Sequence, residues 1–259
     1  MDYPRLAAEV LGIRGASREL ARRLVAQALV IGDRRESWQR VGDRICREAP
    51  TSPGVYVLRD ADGEAVYVGK AVNLRRRLRS HFASRRWRAL KPAMARVATA
   101  EWEEVGSELE ALLREATLIR QLQPAVNVQV GPPALRTRRI ASVLIRDVVT
   151  ILPSVEPHCA ELVAARSDGA VLVQRTPRSG ADLDHHATRT WEFFRPIGDR
   201  RGTMDDQSLA ALVFSWLAGR GAATTRLDPH QWGSASEFLA RVATLLHDEQ
   251  LFVERLVIV

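Results

Sequence analysis

The strongest constraint on the fold comes from two short segments that each carry a tyrosine. A turn signal separates them. Residues 54–58 read Gly-Val-Tyr-Val-Leu and residues 66–70 read Val-Tyr-Val-Gly-Lys. Between them, residues 60–63 read Asp-Ala-Asp-Gly. Asp and Gly adopt the backbone angles that tight turns need, so the pattern predicts an antiparallel hairpin.

The register of this hairpin decides where the two tyrosines lie. If residues 60–63 form the loop, Arg59 faces Glu64 and Tyr56 faces Tyr67. Directly opposed residues of an antiparallel pair point to the same face of the sheet. Two phenols would then stand side by side a few residues before a cluster of positive charge, which indicates a site that handles phosphate.

The positive charge of the chain is concentrated in one segment. Residues 70–96 contain ten Lys and Arg and no Asp or Glu. The whole chain carries a formal charge of +7, so the remainder has a net charge of −3. A partner with a phosphate backbone requires such a localised basic surface. On charge alone, a solvated helix face is the alternative.

The composition favours a cytoplasmic globular protein. The 259 residues can hold one large domain or two small ones, and 46% of them are apolar, which is enough for a core. No apolar run approaches the roughly 18 residues of a membrane span, and the first residues lack the apolar core of a signal peptide. Cys46 and Cys159 are too few and too far apart for a disulfide framework or a structural zinc site. We expect two reduced cysteines and no membrane.

Periodicity and chain breakers divide the sequence into three segments. Residues 1–50 predict helices, with Ser17 as an N-cap, and we interpret them as a packing extension rather than a DNA-binding module. Residues 51–132 predict strands and the helices around them. A basic linker at 135–139 leads to residues 140–259, which predict a second α+β unit whose role the sequence leaves open.

The middle segment carries the most specific local predictions. Asn73 is expected to cap a basic helix, and Ser107 with Glu110 forms a capping box that opens another helix. Also expected are a second basic helix at 86–97, a strand at 98–105 and an extended piece at 126–130. Beyond it we expect a hairpin at 161–175, helices at about 205–219 and 235–248, and a terminal strand at 256–259.

Glu115 is the candidate metal ligand. It lies at the edge of the apolar stripe of the helix expected at 107–121, where burying an unpaired carboxylate would be costly. A bound divalent cation would satisfy this carboxylate. The alternative is a surface glutamate that pairs with Arg114 or Arg120.

Five ordered motifs within residues 52–130 resemble the GIY-YIG nuclease family. The similar branch contains the N-terminal nuclease domain of the bacterial excinuclease and the related nuclease Cho. The motifs are Gly54-Val55-Tyr56, Tyr67-Val68-Gly69-Lys70, Arg77 in a Leu-rich helix, Glu115 in Leu-Leu-Arg-Glu-Ala-Thr-Leu-Ile, and Asn127 in Pro-Ala-Val-Asn-Val. One such motif is weak evidence, but five at matching spacings are specific. The resemblance implies a three-stranded antiparallel sheet flanked by helices, within an α+β chain.

The resemblance also implies roles for individual residues. Glu115 would be the only protein ligand of one Mg²⁺ or Mn²⁺, an arrangement that Mg²⁺ tolerates because it keeps most of its waters. Arg77 would bind the scissile phosphate through its planar guanidinium. Asn127 would order the backbone of the active site and help to place the substrate.

The two tyrosines would position and deprotonate the attacking water. A phenol has a pKa near 10, so this role needs nearby positive charge, which Lys70, Arg77 and the metal could supply. Which of Tyr56 and Tyr67 is the base stays open. His81 stands where the excinuclease branch usually carries tyrosine, and it could share the acid–base work.

Seven further basic side chains of the 70–96 segment are expected to contact the DNA backbone. They lie on the two predicted basic helices and are Arg75, Arg76, Arg79, Arg85, Arg86, Arg88 and Lys91.

The function implied by this resemblance is a metal-dependent endonuclease that incises one strand of duplex DNA. By analogy its context is excision-type repair of damaged DNA, with an excinuclease B-type loading protein as a further candidate partner. We recognise no second nuclease domain, helix-hairpin-helix or partner-binding motif, which favours a stand-alone nuclease. The alternatives are a non-cutting DNA-binding module and a sequence-specific nuclease of mobile-element or restriction type.

A weaker candidate site lies in the C-terminal segment. Asp182, Asp184, His185 and His186 alternate acid and imidazole groups and could form a metal cluster. We interpret this stretch instead as a polar loop.

Overall fold

The computed structural model describes residues 2–83, 92–130, 144–195, 209–219, 224–248 and 250–253. This part of the chain contains two antiparallel sheets with helices around each, which confirms the predicted α+β class. None of the helices in these ranges has the length and apolar character that a membrane span requires.

The elements up to residue 130 are, in chain order, α1 (Tyr3–Val10), α2 (Arg18–Glu48), β1 (Gly54–Arg59), β2 (Ala65–Ala71), α3 (Leu74–Ala83), a 3₁₀ turn (Pro92–Arg96), β3 (Thr99–Glu104), α4 (Glu108–Leu122) and α5 (Ala125–Val130). The three strands form one sheet in the order β2-β1-β3, and both pairings are antiparallel. The predicted three-stranded sheet flanked by helices is therefore confirmed.

The turn between β1 and β2 holds one residue more than the sequence suggested. Arg59 pairs with Ala65 rather than Glu64, and the register shifts just before Arg59. The Asp60 carboxylate accepts hydrogen bonds from the N–H groups of Asp62 at 3.2 Å and Glu64 at 3.0 Å. Because these bonds hold Glu64 in the loop, the prediction that Arg59 faces Glu64 is wrong.

The same shift moves Tyr67 along its strand. Tyr56 lies opposite Gly69, and Tyr67 lies opposite Leu58, so the prediction that Tyr56 faces Tyr67 is wrong. Side chains alternate along a strand with a period of two, so a two-residue displacement leaves both phenols on the same face. Their ring centroids are 6.0 Å apart, and the expected neighbouring phenols are confirmed.

Three polar side chains begin helices where the sequence predicted. Ser17, Asn73 and Ser107 each accept a hydrogen bond from the backbone N–H three residues later, at 3.3, 2.8 and 3.1 Å. Of the second basic helix expected at 86–97, only residues 92–97 are described, and they contain the 3₁₀ turn instead.

The piece expected to be extended at 126–130 is helical, so that prediction is wrong. Helix α5 follows Pro124, whose fixed φ suits the first turn of a helix. Gln123, with φ of 46°, closes α4 immediately before it. Alternating valines favour a strand by propensity, but the adjacent edge of β2 is hydrogen-bonded by the Asn127 side chain rather than by a fourth strand.

The elements of the C-terminal part are β4 (Val148–Pro153), β5 (Cys159–Ala165), β6 (Val171–Pro177), α6 (Leu183–Phe193), α7 (Leu209–Ala218), β7 (Arg226–Leu227), α8 (Ala235–Leu246) and α9 (Gln250–Val253). The four strands form an antiparallel sheet in the order β6-β5-β4-β7. The expected hairpin and the helices α7 and α8 are confirmed, whereas α6 replaces the polar loop predicted there. The linker at 135–139 and the strand expected at 256–259 lie outside the described residues.

Helix α4 is buried from both sides. Ala111 and Ile119 pack with the valines of the first sheet in one core. Leu109 and Leu113 pack with residues of β4, β5 and α7 in another core. The domain boundaries at residues 50, 132 and 140 remain proposals. Helix α4 packs in a core on each side of the boundary at residue 132.

Polar contacts fasten the start of α4 to the C-terminal half. The Trp216 indole Nε1–H donates to the Glu108 carboxylate at 3.1 Å, and both residues are buried. Arg175 on β6 binds three carboxylates, those of Glu110 at 3.3 Å, Glu156 at 3.1 Å and Glu161 at 2.6 Å. Hydrogen bonds to charged groups contribute about 1.5–3 kcal/mol each, so these contacts hold α4 against the second sheet.

Gly106, just before α4, tests this packing. A Cβ at Gly106 would lie 2.1 Å from the carbonyl carbon of Ser154 and 2.3 Å from the nitrogen of Val155. We expect Gly106→Ala to lower the free energy of unfolding by about 1–3 kcal/mol, because backbone has to move to admit the methyl group. Denaturant unfolding followed by circular dichroism measures this change.

Gly233→Ala is the matched control, because the nearest atom to its Cβ is a Glu237 carboxylate oxygen at an ordinary 3.6 Å. Equal unfolding midpoints for the two variants would contradict the close approach of the loop before α4 to the end of β4.

Candidate active site

Three aromatic side chains form the floor of the candidate site. The Tyr56 hydroxyl lies 2.5 Å from His81 Nε2, and both side chains are buried. The Tyr67 ring lies 5.7 Å from the His81 ring and 6.0 Å from the Tyr56 ring, measured between centroids. β1, β2 and α3 therefore bring two phenols and one imidazole into a single hydrogen-bonded cluster.

Arg77 supplies the positive charge beside the phenols. It lies on α3, one turn before His81, and its guanidinium lies close enough to the Tyr56 and Tyr67 hydroxyls to interact with both. Burial raises the pKa of Tyr56 well above its usual value, and the neighbouring Tyr67 raises it further, while Arg77 opposes both effects. Burial and then Glu115 raise the pKa of Tyr67. Both phenols are therefore neutral at pH 7 in the protein alone.

Helix α4 places Glu115 beside β2. Its carboxylate oxygen Oε1 accepts a hydrogen bond from the Lys70 backbone N–H at 3.1 Å. Burial raises the pKa of Glu115, opposed by the charges of Lys70 and Arg77. Arg114, suggested from the sequence as a surface partner, instead donates to Glu103 at 2.7 Å. The site thus combines a desolvated carboxylate with nearby cationic groups.

This donor set decides which metal the site can accept. The described residues contain no group of three or more His, Cys, Asp or Glu side chains that could hold a metal. A single carboxylate is too little for zinc, which takes three or four protein ligands. It suits Mg²⁺ or Mn²⁺, because hard cations of this kind retain waters and share a substrate phosphate.

Asn127 fixes the open edge of β2. Its Oδ1 accepts a hydrogen bond from the Val68 N–H at 2.9 Å, and its Nδ2–H donates to the Val68 carbonyl at 3.0 Å. The amide side chain thereby replaces a neighbouring strand at the residue between Tyr67 and Gly69. Its geometry fits a role in ordering the backbone of the site.

Gly69 belongs to the site although it carries no reactive group. A Cβ at this position would lie 2.6 Å from the Tyr56 hydroxyl and 2.8 Å from the Tyr67 ring. Only glycine lets the two phenols close over the strand. A glycine inside a strand signals close approach of another group, so the sequence carried this information.

The basic side chains expected to contact DNA are only partly described. Arg75, Arg76 and Arg79 lie on α3, where Arg75 Nε donates to the Ala49 carbonyl at 2.7 Å. Arg76 and Arg79 are exposed. The other four, Arg85, Arg86, Arg88 and Lys91, lie outside the described residues.

The weaker metal candidate in the C-terminal half gains no support. Asp182 is the N-cap of α6, so His185 and His186 lie on a helix rather than in a loop. His186 Nδ1 is 3.4 Å from the Gln174 side-chain oxygen. Within the described ranges these residues form no metal-binding group.

The comparisons with known proteins agree with the motifs. The model of the UvrC-like GIY-YIG domain matches residues 52–128. The curated relative UvrABC system protein C of Trichlorobacter lovleyi is 48% identical over 83 residues, which is 32% of this chain and 14% of that protein. The protein of the same name from Paenarthrobacter aurescens is 51% identical over 83 residues, 31% of this chain and 12% of the relative. The matches thus span about an eighth of the length of these relatives.

Among solved structures, the chain is similar to the GIY-YIG N-terminal endonuclease domain of UvrC from Thermotoga maritima, bound to magnesium. The identity is 31%, and the alignment covers 33% of this chain and 94% of that one, with a TM-score of 0.30.

Asn127→Ala tests the edge contact. The change leaves the Val68 N–H and carbonyl without their partners, and we expect it to cost about 1–3 kcal/mol of stability. We also expect the Val68 amide to exchange with solvent markedly faster, which hydrogen exchange measured by NMR would report.

Asn73→Ala is the matched control, because it removes an exposed helix cap while leaving β2 untouched. Unchanged protection of Val68 in Asn127→Ala would contradict the proposed ordering role.

Proposed function

We propose that this chain, whose residues 52–128 form a UvrC-like GIY-YIG domain, is a metal-dependent endonuclease that hydrolyses a phosphodiester bond of duplex DNA. The observation that carries the proposal is the convergence of an arginine, two phenols, an imidazole and a desolvated carboxylate around the edge strand β2. Each group has a place in phosphoryl transfer to water.

Arg77 and Glu115 bind the charged parts of the reaction. Arg77 is exposed enough to meet substrate, and its fork can pass from the phenol oxygens to two oxygens of the scissile phosphate. Glu115 would hold one Mg²⁺ or Mn²⁺ together with waters. When bound, the cation stabilises the charge that builds on the phosphate and on the leaving oxygen.

The aromatic cluster handles the proton of the attacking water. We assign Tyr67 as the residue that meets the water, because it is partly exposed whereas Tyr56 is fully buried. As the water oxygen bonds to phosphorus and the bond to the leaving oxygen breaks, Tyr67 takes the water proton. Tyr67 gives its own proton to Tyr56, and Tyr56 passes one to His81 Nε2. The His81 imidazole, a common general acid–base group, ends the relay.

The repair context is the second part of the proposal. The relatives named UvrABC system protein C share about 83 residues with this chain, and their name supports incision of damaged DNA in excision repair. An excinuclease B-type loading protein is then the proposed partner, and the bacterial cytoplasm, which holds the chromosome, is the proposed location.

Cleavage of a defined duplex tests the function. An end-labelled duplex with one bulky lesion is incubated with Mg²⁺, Mn²⁺ or EDTA, with and without damage-loading proteins. We expect one discrete nick near the lesion that needs the metal. Glu115→Gln and Arg77→Ala should each reduce its rate at least about 100-fold, because each removes charge stabilisation of the transition state.

The control is Glu104→Gln, which removes the same charge from an exposed side chain at the end of β3. It should cut at the wild-type rate. Cleavage by Glu115→Gln equal to that of Glu104→Gln would refute the assigned site. Tight DNA binding without a nick, even with loading proteins present, would favour the non-cutting module. Cutting at a fixed sequence regardless of the lesion would favour the mobile-element or restriction type.

A further inference from the structure

A groove lies between the N-terminal helix α2 and helix α3. It encloses a cavity of about 520 Å³ whose basic lining is Arg47 from α2 with Arg75 and Arg79 from α3. No motif of the nuclease domain covers α2, because the matched domain begins at residue 52. The α2 side of the groove therefore lies outside the matched domain, and the α3 side lies within it.

Tight packing of the two helices gives the groove a fixed floor. The Trp38 and Phe82 rings lie 4.7 Å apart between centroids, and Trp38 Nε1–H donates to the Phe82 carbonyl at 3.0 Å. A Cβ at Gly42 would lie 2.7 Å from the Phe82 ring, so only glycine allows this approach. These contacts fix the distance between α2 and α3, and therefore the distance between the helices that carry the arginines.

The charge of the groove is positive. Among the described residues that line it, Asp43 is the only carboxylate, against three guanidinium groups. The buried Cys46 thiol adds no negative charge, because burial raises its pKa and outweighs the opposing effect of Arg79. Arg47 and Arg79 are exposed, and neither forms an ion pair with another described residue.

Helix α3 divides its arginines between two sides. Arg77 bonds the phenols of the candidate active site, whereas Arg75 and Arg79, one helical turn apart, line the groove. An α-helix is about 10–12 Å wide with its side chains, so the groove lies roughly one helix width from Arg77. Duplex DNA presents one phosphate charge per about 1.7 Å of its axis, so a duplex bound at the active site carries several further phosphates over a distance of one helix width.

We propose that this groove binds a backbone phosphate of the duplex whose other phosphate is cut at the active site. Arg47 and Arg79 are the phosphate ligands, and Arg75, which donates to the Ala49 carbonyl at the end of α2, holds the two helices in place. Helix α2 thereby extends the DNA footprint of the nuclease domain. The inference rests on the proposed action on duplex DNA.

Equilibrium binding tests the groove separately from catalysis. A fluorescent undamaged duplex is titrated in EDTA over a range of salt concentrations, and anisotropy gives the affinity and its salt dependence. The logarithm of the binding constant falls linearly with the logarithm of the salt concentration, and each lost phosphate contact should make this slope less steep by about 1. We therefore expect the slope to be less steep by about 1 in Arg47→Ala and in Arg79→Ala, and by about 2 in the double variant.

Two controls match the charge and the chemistry. Arg22→Ala removes an exposed arginine of the same helix, about 37 Å along the axis from Arg47, and should keep the wild-type slope. Arg79→Lys keeps a cation that can bind phosphate as a point charge, and it should restore most of the slope. Thermal unfolding at the wild-type temperature shows that the variants remain folded.

The outcomes separate the two proposals. A wild-type protein that fails to bind duplex at any salt concentration contradicts the proposed function itself. A wild-type protein that binds, with a double variant whose slope equals that of Arg22→Ala, overturns the groove inference alone.

Discussion

The burial of helix α4 from two sides is the constraint on which the rest of the structure depends. Its small and branched residues, such as Ala111 and Ile119, belong to the core of the first sheet, whereas Leu109 and Leu113 belong to the core of the second. A helix held on both faces cannot rotate without opening one core. The carboxylate of Glu115 is consequently delivered to β2 by packing that involves both halves of the chain, which gives the C-terminal half at least a supporting role.

The protonation states of the site depend on the burial of its ionisable groups. Desolvation keeps both phenols protonated and raises the pKa of the Glu115 carboxyl. Arg77 lowers the pKa of each of these three groups. If its guanidinium moved to a substrate phosphate, the pKa values of all three would change when substrate binds. His81 on α3 lies within hydrogen-bonding distance of the Tyr56 hydroxyl, so the cluster joins an imidazole to the two phenols.

The candidate site residues were predicted from the resemblance of five ordered motifs to a known family, whereas the elements that carry them were predicted from local signals. The capped helices and the tyrosine strands follow from Asn73, Ser107 and the alternation around Tyr56 and Tyr67. The hairpin register could not be predicted, since a side chain within the turn, Asp60, adds a residue to the loop. The helix at 125–130 was missed because alternating valines are typical of a strand. The helix at 183–193 was missed because a run of acid and imidazole groups is typical of a loop. Contacts between distant segments, such as the groove between α2 and α3, leave no periodic trace in one sequence.

Binding of Mn²⁺ to the protein as a function of pH tests whether Glu115 is a metal ligand. Electron paramagnetic resonance counts free and bound ions in wild type and in Glu115→Gln. A metal ligand must lose its proton, and burial raises the pKa of this carboxyl. We expect one bound ion whose affinity rises with pH through a range above that of an ordinary glutamate, and no such ion in Glu115→Gln. Equal binding by both proteins at every pH would contradict this expectation.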